Sequence, residues 1–309
     1  MMLEHRQPTS GPDMDDGQPP PKRRLRLSVR ALLLVVVLVG GALGWLAFKI
    51  REARAQAAIV AAIHRAGGGA GYGWRRDVGG YYYDDSTFCV PRWLVDLIGE
   101  DYFADVTLVS FRRWSSLNGP PRDLEPVMAE IGRLQRLEIL DLTNSGVSDE
   151  ALSHLKGLPN LQILWLEGTG VGDAGLSHLA DLIHLRSLSL DKTSIRGPEL
   201  AHLSSLRELE LLTLRDSALT DQGMPHLAVL TGLKRLDLEQ TAVTDAGVSL
   251  LVDLPLLQWL IVRQTQVGEA GLLELKESRS LLGVTVNPAL FLGGNEERLR
   301  EAVSPLLIN

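Results

Sequence analysis

Apolar residues return at a fixed interval of 24 residues through the middle of the chain. Within one copy the order is Leu161-x-x-Leu164-x-Leu166-x-x-Thr169, followed by Leu176, Leu179 and Leu182. The alternating part predicts a short strand with Leu164 and Leu166 pointing inward, and the three-residue spacing predicts a short helix with one apolar stripe. A period of this length indicates a stacked array. The copies open at Leu137, Leu161, Leu185, Leu209, Leu233 and Leu257, with a partial seventh at Leu281.

One copy cannot bury its own leucines, so neighbouring copies must stack to form a continuous core. The predicted fold class is α/β: a curved solenoid with parallel strands on the concave face and short helices on the convex face, preceded by one transmembrane helix. Two further ladders recur. A hydroxyl follows each strand and is expected to bond the turn backbone, and an aspartate precedes most helices, where it suits an N-cap or first turn. These residues are Ser145, Thr169, Thr193, Ser217, Thr241 and Thr265, and Asp149, Asp173, Asp221 and Asp245.

The units that run Val171-Gly172-Asp173-Ala174-Gly175-Leu176 resemble the leucine-rich-repeat superfamily, especially its bacterial 24-residue members with Thr in place of Asn or Cys. The apolar segment, the Ala-rich stretch and Pro91-x-Trp93-Leu94 are similar to the start of uncharacterised bacterial membrane-anchored repeat proteins. The resemblance implies a solenoid used for protein–protein contact, without a cofactor. The units are also similar to the repeats of F-box substrate receptors, but hydroxyls replace cysteine here and no F-box-like helical module is present, which leaves this role a remote alternative.

The first 48 residues predict a membrane anchor. Residues 1–30 are polar and end in a basic run, so we expect a disordered cytoplasmic tail. Residues 31–48 carry no charge and would form a helix about 27 Å long, close to the roughly 30 Å hydrocarbon core of a bilayer. The basic run places the N-terminus in the cytoplasm and the repeats outside it. A cleaved signal peptide with Ala53-x-Ala55 as its site is the alternative.

The remaining boundaries follow from composition and repeat spacing. Residues 49–80 predict an Ala-rich stalk helix and a Gly-rich hinge. Residues 81–136 predict an N-terminal cap, with Tyr81-Tyr82-Tyr83 as an edge strand and Phe103-x-x-Val106-x-Leu108 as a degenerate first repeat. Residues 137–286 form the array, and residues 287–309 a C-terminal cap whose helix runs from Asn295 to Leu307.

Chemistry-bearing patterns are scarce. His154, His178, His202 and His226 recur at one place in the unit, but neighbouring copies should separate them by about 10 Å, too far for one metal ion. Cys89 lies among apolar residues and is expected to be a buried structural thiol. Residues 137–286 carry 11 Lys+Arg and 20 Asp+Glu, a net charge of −9, which argues against nucleic acid. We expect no enzyme activity, no cofactor and no metal.

The outward strand positions of the concave face are the predicted partner-binding surface. Large aromatic residues and arginine are enriched at binding hot spots, and this face carries both. A protein or peptide ligand is therefore the main hypothesis, and a structural envelope protein that assembles with itself is the alternative. The predicted contact residues are Trp165, Glu167, Asp191, Leu211, Arg215, Asp237, Glu239, Trp259, Ile261 and Arg263. Ile139, Asp141, Ile163 and Arg235 belong to the same outward set.

Overall fold

The computed structural model describes residues 29–72, 97, 99–102, 104–112, 124–291 and 307–308. The chain divides into two compact units, residues 1–48 and residues 49–309. Several predicted features lie outside the described residues: the tail over residues 1–28, the strand at residues 81–83, Cys89 and the helix that starts at Asn295. They therefore stay predictions.

Helix α1, Val29–Arg65, contains the predicted membrane segment. Within it, Leu32–Arg65 contains an 18-residue window of mean hydropathy 2.3, none of which is buried. By length and composition alone, it is the one helix among the described residues that could cross a membrane. Signal sequences meet the same criterion.

A ten-stranded sheet runs through the second unit, with its strands in sequence order. Strands β2 to β9 are parallel, and each pairs with its neighbour at the same position of the repeat, as in Ile139↔Ile163 and Ile163↔Ser187. The strands are β1 Gly69–Tyr72, β2 Val106–Ser110, β3 Ile139–Asp141, β4 Ile163–Trp165, β5 Ser187–Ser189, β6 Leu211–Thr213, β7 Arg235–Asp237, β8 Trp259–Ile261, β9 Gly283–Thr285 and β10 Leu307–Ile308.

Short helices return the chain from each strand to the next. The first three 24-residue copies use 3-10 helix, and the fourth combines a 3-10 turn with a short α-helix. The next two copies use α-helix. The α-helices are α2 Glu125–Ile131, α3 Met224–Leu227, α4 Asp245–Ser249 and α5 Glu269–Leu275. The 3-10 segments are Glu100–Tyr102, Glu150–Gly157, Asp173–His178, Pro198–Ser205, Asp221–Gly223 and Pro288–Phe291.

The repeated leucines form one continuous core, as the 24-residue period predicts. Leu164 and Leu166 of the strand and Leu176 and Leu179 of the helix are fully buried in it. Each buried leucine contributes roughly 1.5–3 kcal/mol of burial free energy. Because that burial depends on the coils on either side, the array is stable only as a stack.

The turn after each strand uses a left-handed residue and then the hydroxyl. Thr169 donates to the Leu166 carbonyl at 2.7 Å, and Thr241 to the Leu238 carbonyl at 2.7 Å, which confirms the predicted backbone bond in these copies. Ser145 is the exception, because its Oγ is buried without a hydrogen-bond partner. Gly168 occupies the preceding position with φ of +65°, and non-glycine residues hold the same conformation in the other copies. These residues are Asn144, Lys192, Asp216, Gln240 and Gln264.

The aspartate ladder lies at the predicted helix starts, but its carboxylates do not cap their own helices. Thr220 and Thr244 provide side-chain caps, and each ladder carboxylate that bonds backbone reaches the following coil. Asp149 accepts from Gly172 N–H at 2.7 Å, and Asp245 accepts from Gly268 N–H at 2.6 Å. Asp221 accepts from both the N–H and the hydroxyl of Thr244, at 2.9 and 2.6 Å. The ladder therefore ties neighbouring coils together where the helices begin.

The degenerate first repeat exists, but in a different register from the predicted one. Leu108 pairs with Ile139 and Val109 with Leu140, so Val109 and Phe111 point into the core, where both are fully buried. Leu108 lies on the concave side and is half-buried. The matching frame is thus Val106-x-x-Val109-x-Phe111. Both frames place apolar residues at the required spacings, and strand pairing selects the one that buries Phe111.

The predicted stalk and hinge are instead part of the N-terminal cap. Within the second unit, Ile59, Val60 and Ile63 of α1 are buried in the array core. Gln56 donates to the Ala104 carbonyl at 2.8 Å and accepts from Val106 N–H at 3.3 Å. The glycines that follow form β1, which pairs antiparallel with β2. The hinge interpretation is wrong because small residues there allow close packing, as at Gly68, where a Cβ would come within 2.7 Å of Phe111.

The C-terminal end of the sheet is also covered by a strand. Leu307 and Ile308 form β10, which pairs parallel with β9. The sequence predicted that Leu307 ends a helix, but Leu307 lies in strand β10. Both outer edges of the parallel sheet thus carry an added strand, β1 at one end and β10 at the other, which protects unpaired backbone groups from other chains.

Ile63→Ala should destabilise the array by about 2–5 kcal/mol, since it truncates a fully buried side chain in the cap. Chemical denaturation of the full chain in detergent measures this change. His64→Ala, at the exposed neighbouring position, is the matched control and should change stability by less than about 0.5 kcal/mol. An equal, small effect of both variants would mean that α1 does not seal the core.

Candidate functional site

The strand pairing arranges the outward residues of the concave face in three rows that run across the coils. Residues with the same repeat position are Cα partners on neighbouring strands, so a row has a spacing of about 4.8 Å between members. The first row contains Ile163, Ser187, Leu211, Arg235 and Trp259. The second contains Asp141, Trp165, Ser189, Thr213, Asp237 and Ile261. The third follows the strands and contains Glu167, Asp191, Arg215, Glu239 and Arg263.

The two tryptophans lie on this face, four strands apart. Trp165 is half-buried, between Asp141 on β3 and Ser189 on β5. Trp259 is 37% exposed and lies between Arg235 on β7 and Gly283 on β9. Strand spacing separates them by about 19 Å. Leu211 is half-buried between them at the centre of the sheet.

Ion pairs join most charges of the third row. Lys192 Nζ lies 2.8 Å from a Glu167 carboxylate oxygen. Arg215 donates to Asp237 through Nε at 2.6 Å and lies 4.0 Å from Glu239, which in turn lies 3.9 Å from Arg263. Arg215 and Arg263 therefore already form ion pairs within the chain, although their side chains are about half exposed.

Asp191 differs from the other acids of this row. Its Oδ1 accepts from the backbone N–H of Arg215 at 2.8 Å. Within the described part of the chain, no basic side-chain nitrogen lies within ion-pair distance of its carboxylate. Burial raises the pKa of Asp191 above its ordinary value, while the backbone N–H and the charge of Arg215 act in the opposite direction. The charged form is thus incompletely compensated within the chain.

Two of the ten predicted contact residues have almost no exposed surface. Asp237 is fully buried, because Arg215 covers it and its Oδ1 accepts the backbone N–H of Glu239 at 3.1 Å. Ile261 is 9% exposed, beside Asp237 on the neighbouring strand. The predicted exposure of these two is wrong, since strand alternation gives the direction of a side chain but not what covers it. Asp141 and Ile139, outward by the same rule, are buried too.

The prediction also missed residues that shape the face. Lys192 lies in the left-handed turn after β5, outside the alternating strand positions, and pairs with Glu167. Ser187 and Ser189 give β5 small outward side chains, between Ile163 and Trp165 on one side and Leu211 on the other. The sequence contains this information, because β5 is the one array strand with two serines at outward positions.

The histidine row lies on the convex side, where the helices place it. His154 Nε2 lies 3.1 Å from Glu125, and His202 Nε2 lies 3.1 Å from Glu199. Among the described residues, no group of three or more His, Cys, Asp or Glu side chains is arranged to hold a metal ion. A polar depression also lies beside the first strands, lined by Asp105, Thr107, Arg136, Glu138, Asn160 and Gln162.

The fold and this face define the class of protein: an α/β solenoid of stacked 24-residue repeats with a strand-lined concave surface. No protein-family model and no curated protein matches the chain.

Solved structures of internalins are similar to this chain. An internalin (inlF) of Listeria monocytogenes matches 59% of the chain over 58% of its own length, at 22% identity and a TM-score of 0.44. Internalin C2 of the same organism matches 51% of the chain over 74% of its own length, at 24% identity and a TM-score of 0.39. The chain thus spans a little over half the length of the first internalin.

Asp191→Asn should gain stability relative to the wild type as pH rises. The pKa of Asp191 is raised in the folded state, so the wild type loses folding free energy as pH rises from the ordinary carboxyl value of about 3.9 through that raised pKa. The asparagine variant has no such loss. Denaturation of both proteins between pH 3.5 and pH 7 measures the difference. The raised pKa of Asp191 would be contradicted if the difference in folding free energy stayed constant with pH. It would also be contradicted if Asp253→Asn, at an exposed position, gave the same pH dependence.

Proposed function

We propose that the protein is a membrane-anchored interaction module that binds another protein or a peptide on the concave face of its solenoid. The observation that carries the proposal is the pair of tryptophans, Trp165 and Trp259, left partly exposed on a sheet of eight parallel strands. Large aromatic side chains at the centre of an exposed surface are typical hot spots of protein interfaces. A catalytic role and a cofactor are not part of the proposal.

The shape of the face supports a macromolecular partner over a small ligand. The side chains between the tryptophans form a broad surface with a half-buried Leu211 at its centre and charged residues along one side. The internal ion pairs hold those charged side chains in place. A partner would therefore meet a preorganised surface, with a smaller entropic cost of ordering on binding.

A partner should be captured from the concave face and not from the convex face. A photo-reactive residue at position 211 should cross-link a second protein in native membranes, whereas one at position 201, on the exposed convex side, should not. Trp165→Ala or Trp259→Ala should reduce the cross-link at position 211 several-fold, because each removes a hot-spot side chain. Equal cross-linking from both faces would contradict the proposal. Cross-links between copies of this chain that ignore both tryptophan changes would instead support the self-assembling envelope protein.

The anchor is the second part of the proposal. Residues 31–48 lie in α1 without a charge, in the part of the chain whose length and hydropathy suit a bilayer span. The basic run that precedes them favours a cytoplasmic N-terminus and an extracytoplasmic array. Cleavage near Ala53-x-Ala55 is disfavoured, because Ala53 is buried and helical.

A reporter fused after Asn309 should be active only when it requires the extracytoplasmic side. A matched fusion of the same reporter before Met1 should be inactive. The chain should also stay in the membrane fraction after alkaline extraction, at its full length of 309 residues by mass. Reversed reporter activities would overturn the orientation, and a shortened soluble product would support the cleaved signal peptide.

A further inference from the structure

The concave face has different charges in its two halves. The outward residues of β3 to β5 and the third-row positions after them include Asp141, Glu167 and Asp191 and no Lys or Arg. Lys192, in the turn after β5, adds one cation to this half and pairs with Glu167. The corresponding positions of β6 to β8 carry Arg215, Arg235 and Arg263 beside Asp237 and Glu239. The half that contains Trp165 is therefore acidic, and the half that contains Trp259 is mixed.

Trp165 and Asp191 lie near each other in the acidic half. Trp165 is the Cα partner of Ser189, and Asp191 is two residues beyond Ser189 on the same strand path. Strand geometry puts the Cα atoms of Trp165 and Asp191 about 8 Å apart. Both side chains are half-buried and Ser189 is 8% exposed, so a partner at this place meets the indole ring and the carboxylate.

Both groups favour a cation. An indole ring is the best aromatic partner for an ammonium or guanidinium group, with an attraction of about 0.5–2 kcal/mol. Asp191 is half-buried and accepts the backbone N–H of Arg215, and no basic side chain lies at ion-pair distance from its carboxylate in the described chain. The cations beside it already have partners, since Lys192 pairs with Glu167 at 2.8 Å and Arg215 with Asp237 at 2.6 Å. One carboxylate beside an indole is not a metal-ligand set, so the cation is organic.

We propose that Trp165 and Asp191 together receive an arginine or lysine side chain of the partner protein. This inference rests on the proposed function and gives it a chemistry: the partner presents a basic side chain to the acidic half of the face. The net charge of −9 over residues 137–286 acts in the same direction, because it attracts a basic surface at longer range.

The test uses the full chain in detergent micelles, with its six tryptophans labelled at the indole nitrogen for NMR. Trp165→Phe identifies the Trp165 signal. The probes are four capped heptapeptides, Gly-Ser-Gly-X-Gly-Ser-Gly, with X as Arg, Lys, Glu or Leu. The Arg and Lys peptides should shift the Trp165 signal in a saturable manner, and the Glu and Leu peptides should not. Asp191→Asn should weaken Arg-peptide binding at least fivefold, whereas Asp253→Asn, which removes an exposed carboxylate elsewhere, should not.

Three results would overturn the inference. One is the absence of any shift with the basic peptides. Another is equal weakening by Asp191→Asn and Asp253→Asn, which would mean general attraction to an acidic protein. The third is a shift of Trp259 without Trp165. None of these affects cross-linking from position 211, so that experiment distinguishes failure of the basic-side-chain inference from failure of the proposed function.

Discussion

The structure depends on contact between successive coils, because no coil contains enough of its own surroundings to bury its leucines. Leu164, Leu188 and Leu212 occupy the same level of the core in neighbouring coils, and each is fully buried. Backbone bonds reinforce this contact on the strand side, and the aspartate ladder reinforces it where the helices begin, as from Asp149 to Gly172. The cost of ordering one coil is thus offset by the coil beside it.

A stacked core makes both ends of the array vulnerable, and the chain uses different elements to close them. At the start, Ile59 and Ile63 of α1 cover the first coil, and β1 covers the edge of β2. At the other end, β10 covers the edge of β9. The segment expected to be a passive stalk is therefore part of the folded array, since an open end would expose both leucines and unpaired strand backbone.

The same repetition leaves the concave face free to vary. Inward positions must be apolar, the turn position must tolerate a left-handed backbone, and the next position must carry a hydroxyl, as at Gly168 and Thr169. Only the outward strand positions escape these requirements. The tryptophans, the serines of β5 and the Arg215–Asp237 pair all occur there or beside it. Internal ion pairs then decide which charges a partner can reach, and Asp191 is the half-buried acid with no ion-pair partner among the described residues.

The sequence by itself determined the repeat length, the inward leucines, the hydroxyl bonds of five copies and the direction of each outward strand side chain. These features depend on local periodicity, which is the same in every copy. Tertiary structure decided what local periodicity does not contain. Pairing with β3 selected the frame that buries Phe111 over the equally apolar alternative. Packing against the first coil made α1 a cap, and the reach of Arg215 across one strand buried Asp237. Each of these outcomes depends on contact between segments at least 22 residues apart, and the pattern within one segment cannot specify its neighbour.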